Sequence, residues 1–74
     1  MTTTNAAEVQ VQLNGVTVAV PAGSSLSDLL DARGVNRRMV AVEYNGEILP
    51  RHDWDTTTIH DGDVLEVVQM VGGG

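Results

Sequence analysis

The chain contains no cysteine and no lysine. Without cysteine, no disulfide staples the fold and no thiol is on hand as a nucleophile or metal ligand. A reducing cytoplasm is the expected setting. No apolar run approaches the roughly 20 residues needed to span a bilayer, and Met1 to Ala7 lacks the apolar core of a secretory signal, so no membrane association is expected. Positive charge is also scarce. Four arginines stand against ten acidic residues, for a net charge of -6. Such a surface repels phosphate backbones, which argues against nucleic-acid binding. It either steers a basic partner surface or simply keeps the protein soluble; charge alone does not choose between them. Length is the last shortage. Seventy-four residues allow one domain, which buries only about 60% of its unfolded surface. That leaves no room for a deep, enclosed substrate cavity and argues against a self-contained enzyme.

What is present is strongly patterned. Val9, Val11 and Leu13 alternate with Glu8, Gln10 and Gln12, the period of a half-buried strand. Asn14-Gly15 is a tight hairpin signal, and Val16, Val18 and Val20 continue as a second strand. Pro21 to Ser24 interrupts the sheet. Ser25 then suits a helix N-cap, with Asp28 completing a capping box and complementing the helix dipole. Leu26, Leu29 and Leu30 form one apolar stripe. Gly34 supplies a left-handed C-cap beyond which Val35 folds back. A helix over Leu26 to Arg33, about 12 Å long, is predicted.

Met39 to Tyr44 reads as a third strand with Val40, Val42 and Tyr44 on one face. Asn45-Gly46 is a second hairpin turn, and Glu47 to Leu49 a short strand stopped by Pro50. Arg51 to His60 reads as a loop with one short turn, anchored by Trp54 and Ile59. Asp61-Gly62-Asp63 is a tight turn before a last strand, Val64 to Val71, with Leu65 and Val67 in the core. Its nearly continuous apolar character suits a central strand, next to the first. One helix needs a sheet to cover. The economical solution is an α+β fold, a ubiquitin-like β-grasp with a mixed sheet of four or five strands and the helix across it. Residues 1–7 are expected to be a flexible N-terminus, 8–71 the β-grasp domain and 72–74 a flexible glycine tail.

Several stretches carry a resemblance. They are Leu26-Ser27-Asp28-Leu29-Leu30, then Val40 to Arg51 through Tyr44-Asn45-Gly46-Glu47-Ile48-Leu49-Pro50, then Trp54, Asp61-Gly62-Asp63, Leu65 to Val68, and Val71-Gly72-Gly73-Gly74. Together they resemble the ThiS family of sulfur carriers over roughly Val9 to Gly74. The resemblance implies a carrier acted on by enzymes rather than a catalyst. A partner of the ubiquitin-activating type would use ATP to adenylate the Gly74 carboxylate, recognising Val71, Gly72 and Gly73. Sulfur would then displace AMP to leave a thiocarboxylate, which a thiazole synthase would take into the thiazole ring of thiamine. A related carrier serving molybdopterin or another sulfur-containing metabolite, or a ubiquitin-like modifier, shares this fold and tail. Without lysine, a modifier of this sequence could not extend chains through its own side chains.

The tail suits such chemistry on physical grounds. A carboxylate is a poor electrophile until activated, and activation requires the chain end to enter an ATP site. Glycines thread a narrow channel, and three of them reach about 10 Å when extended. Ordering them costs entropy that contacts of the folded body must offset. With Leu65 and Val67 facing the helix, Glu66, Val68 and Met70 face outward as a candidate partner surface. A free monomer, binding no cofactor itself, is expected.

The other polar residues have plainer readings. His52, Asp53, His60 and Asp61 match no established zinc spacing, and Asp61-Gly62-Asp63 lacks the remaining ligands of a calcium loop. Arg37-Arg38 pairs with nearby carboxylates or solvent. Trp54 is a packing anchor, and Ser24, Ser25 and Ser27 serve as caps or on the helix surface. No nucleophile, base and orienter set is evident.

Overall fold

A computed structural model describes residues 8–70. The expectations for residues 1–7 and 71–74 lie outside the described residues. Five strands, β1 (Glu8–Leu13), β2 (Val16–Pro21), β3 (Val40–Tyr44), β4 (Glu47–Ile48) and β5 (Val64–Gln69), form one mixed sheet in the order β2-β1-β5-β3-β4. One helix, α1 (Leu26–Ala32), lies across it. This is the expected α+β, β-grasp arrangement, with the last strand at the centre. β5 runs parallel to β1, with Leu13 opposite Leu65, and antiparallel to β3, with Val40 opposite Gln69 and Tyr44 opposite Leu65.

Local chemistry accounts for the elements. Asn14-Gly15 and Asn45-Gly46 both hold positive φ at both central residues, the geometry that matches hairpin twist. The Ser25 hydroxyl accepts from the Asp28 amide, and the Asp28 carboxylate accepts from the Ser25 amide, each at 3.0 Å. The other free amides at this helix end are also used: Leu26 and Ser27 donate to the Thr57 and Trp54 carbonyls. At the far end, Gly34 and Val35 donate to Asp31 and Leu30, the paired bonds of a Schellman stop.

Some boundaries differ from the sequence reading. Arg33 is the C-cap rather than the last helical residue. Met39 belongs to a single 3-10 turn, Arg37–Met39, capped by the Asn36 side chain, so β3 starts at Val40. β4 ends at Ile48, and β5 at Gln69. Leu26, Leu30, Val42 and Leu65 are fully enclosed, with Val11, Trp54 and Ile59 nearly so. Trp54 closes the core beneath the 51–60 segment, and its indole N–H donates to the Leu49 carbonyl at 2.9 Å.

Candidate functional site

The expected site is the chain end, and β5 leads to it. Two asparagines from the hairpin turns grip this strand by their side chains. Asn14 accepts from the Val67 amide at 2.7 Å and donates to the Val67 carbonyl, prolonging the parallel ladder where β1 stops. Asn45 accepts from the Val64 amide at 2.8 Å, while its own amide donates to the Val64 carbonyl. Met70, one residue past β5, donates to the Met39 carbonyl at 2.8 Å. Gly74, Val71, Gly72 and Gly73 lie outside the described residues.

Asp63 fixes the start of the strand. The sequence reading made it a turn residue; the turn is there, but the carboxylate is buried. It accepts from the Tyr44 hydroxyl, the His60 amide at 2.7 Å and the Asn45 side-chain amide at 3.2 Å. Burial opposes its charge, yet these donors outweigh burial and hold the carboxyl below its usual range. Burial, and then the bond and charge of Asp63, push the Tyr44 phenol up to about 12. His60 thus contributes its backbone to this network.

Ser27 corrects the sequence reading. It is buried rather than on the helix surface, because the 51–60 segment folds over that turn of α1. Its hydroxyl donates to Asp55 at 2.5 Å and accepts from Arg37 at 2.9 Å, while Arg37 and Asp55 pair at 3.0 Å. The Ser27 bond, against some desolvation and with help from Arg37, lowers the Asp55 pKa.

The outer sheet face carries the candidate partner surface. Glu66 is exposed, as are Val68 (54%) and Met70 (40%). Register adds residues that the sequence reading did not single out: Ala41 lies opposite Val68, Glu43 opposite Glu66, and Ile48 (65% exposed) opposite Glu43. A shallow apolar concavity lined by Ala41, Ile48, Leu49, Pro50 and Met70 joins this face to the end of β5. The Glu43–Glu66 juxtaposition costs stability, since like charges directly opposite repel. Neither has a cationic partner within 4.0 Å among the described residues. Alternation along β3 was the available signal for Ala41 and Glu43; the cross-strand pairing itself is non-local. Among the described residues, no three His, Asp or Glu side chains gather as a metal site, and His52 approaches only Asp53, at 3.6 Å. No helix among them is long and apolar enough to cross a membrane.

Comparison with known proteins matches this arrangement. The model of the ThiS family fits residues 5–74. A protein named thiazole synthase from Paramagnetospirillum magneticum is 38% identical over 66 residues; these cover 89% of this chain but only 20% of that protein. The sulfur carrier protein ThiS of Bacillus subtilis is 35% identical over 65 residues, covering 86% of this chain and 98% of that protein. Among solved structures, the thiamine biosynthesis protein ThiS of Geobacter metallireducens superimposes with a TM-score of 0.78 at 36% identity, over 89% of this chain and 100% of that one. Sequence and fold agree over nearly the whole length, and the chain belongs to the ThiS family.

Proposed function

We propose that the chain is a sulfur carrier for thiamine biosynthesis, acting as a co-substrate and not as a catalyst. The observation that supports this most is the family match through the terminal glycines, together with a relative named as a sulfur carrier that is matched over 98% of its own length. The Gly74 carboxylate attacks the α-phosphorus of ATP in a partner's active site, and pyrophosphate leaves. A sulfur nucleophile then attacks the acyl carbon and AMP leaves, so that one carboxylate oxygen is replaced by sulfur. Val71, Gly72 and Gly73 are the segment the partner recognises, and Glu66, Val68 and Met70 are part of the surface on which the body docks.

The receiving enzyme is a thiazole synthase. In the Paramagnetospirillum magneticum protein of that name, a stretch similar to this chain makes up a fifth of a single polypeptide. Covalent linkage of carrier-like and synthase segments favours this recipient over a molybdopterin synthase. The test is intact-mass measurement after incubation with ATP, a cognate adenylating enzyme and a sulfur source. A gain of about 16 Da at the terminus is expected from the oxygen-to-sulfur exchange. An unchanged mass with a partner competent on its own carrier refutes the reading.

A further inference from the structure

Three of the four arginines, Arg37, Arg38 and Arg51, line one shallow groove on a protein of net charge -6. They are not equivalent. Arg37 is committed to Asp55 and Ser27. Among the described residues, no carboxylate lies within 4.0 Å of Arg38 or Arg51. The Arg38 backbone and the Arg51 guanidinium are held in place. The Arg38 amide donates to the Asn36 side chain in the 3-10 turn before β3. The Arg51 guanidinium lies 5.6 Å from the centroid of the Trp54 ring, a cation–π distance, and that ring is buried and anchored through its N–H.

Their position matters more than their number. Arg38 directly precedes Met39, whose carbonyl receives the Met70 amide. Arg51 also borders the apolar concavity that Met70 lines. The groove is basic at Arg38 and Arg51, and Arg51 shares that concavity with Met70; along the outer face from there the surface is apolar at Met70, Val68 and Ala41, and acidic at Glu66 and Glu43. Residues two apart on a strand are about 6.5 to 7 Å apart, so apolar and acidic bands fit within one docking footprint. The groove holds no buried polar side chain that would enclose a small anion; it is an open rim, suited to a protein surface.

We infer that Arg38 and Arg51 form a docking rim for an acidic patch on the enzyme whose active site receives the tail, the patch lying beside the tail's entry point. This rests on the carrier reading above. The rim and the Glu43–Glu66 pair carry opposite charge at the two ends of an apolar band, so a complementary partner surface fits in one orientation and meets repulsion in the reverse one.

The test uses the full chain and its adenylating enzyme. The double variant R38E/R51E should associate about tenfold more slowly than wild type at low salt, with little change in dissociation rate. The gap should close near 1 M salt, where the screening length falls to about 3 Å. R38K/R51K should associate nearly as fast as wild type. Melting temperatures within a few degrees of wild type show that folding is not the cause. Equal association rates for R38E/R51E and wild type overturn the inference, as does a gap that survives 1 M salt. If inorganic phosphate at constant ionic strength slows wild type as much as the reversal does, a small anion displaces the protein patch as the ligand. The two readings fail separately: a wild-type chain that never gains sulfur defeats the carrier reading, whereas one that gains sulfur but is indifferent to the reversal defeats the rim alone.

Discussion

Replacing Asp63 should be among the most damaging single polar changes in this protein. Its carboxylate receives three donors, from Tyr44, His60 and Asn45. Hydrogen bonds to a charged group contribute about 1.5 to 3 kcal/mol each, so a naive sum for Asp63→Ala is roughly 5 to 9 kcal/mol. That overshoots, because two donors recover. His60 is exposed, so its amide can turn to water, and the Tyr44 hydroxyl already has the Thr58 carbonyl at 3.3 Å. A loss of about 2 to 4 kcal/mol is expected, from a total stability of roughly 4 to 11 kcal/mol for a chain of this length. At about 4 to 8 °C per kcal/mol, the melting temperature falls by about 10 to 30 °C. Asp63→Asn keeps one acceptor and should lose about half as much.

A double-mutant cycle with Tyr44→Phe isolates the shared bond and should give a coupling of about 1 kcal/mol or more. The pH dependence has a fixed sign. The folded Asp63 pKa is depressed, so its stabilisation is present above the ordinary Asp value of about 3.9 and fades as pH falls through the folded value. The advantage of wild type over Asp63→Asn should therefore shrink below about pH 4. Tyr44 is raised to about 12, so its neutral form supports the fold below about pH 10 and that support disappears as pH climbs from 10 through 12. Tyr44→Phe should remove this alkaline loss. Urea titrations at several pH values measure all of these. An Asp63→Asn protein within about 0.5 kcal/mol of wild type at neutral pH, with no coupling to Tyr44, refutes the reasoning.

Deleting Gly73 and Gly74 should abolish the mass gain on sulfur loading while leaving the melting temperature nearly unchanged, since the described core and ladders end by Met70. Trp54→Ala should cost about 3 to 5 kcal/mol and lower the melting temperature by about 10 to 40 °C as followed by circular dichroism, because it empties the core and frees the Leu49 carbonyl. Glu43→Gln should raise stability by about 0.2 to 1 kcal/mol through relief of repulsion with Glu66, and weaken docking to the adenylating enzyme in a titration if that pair meets a partner cation.

Periodicity and turn chemistry make the architecture legible in the sequence. The two Asn-Gly pairs marked both hairpins, Ser25 and Asp28 the start of α1, and the apolar run at Val64 to Val68 the central strand. These are local signals, and local physics sets them. What stayed hidden depends on partners far along the chain. Asn14 is locally half of a turn, but its side chain also holds Val67, 53 residues away. Ser27 looked like helix surface because nothing local shows that residues 51–60 fold over it. Asp63 looked like a turn residue because its main donors, Tyr44 and Asn45, arrive from β3 and the second hairpin. The outward Glu66, Val68 and Met70 followed from alternation; Glu43 and the Arg38–Arg51 groove needed the cross-strand register and the packed loop.

The central place of β5 has a mechanical consequence. A pull on the chain beyond Met70 acts along the strand axis, against hydrogen bonds to β1 on one side and β3 on the other. Those bonds lie across the direction of force and share it together, in shear, instead of opening one after another as they would if the strand were peeled sideways. A body built this way resists unravelling when force is applied at its carboxyl end.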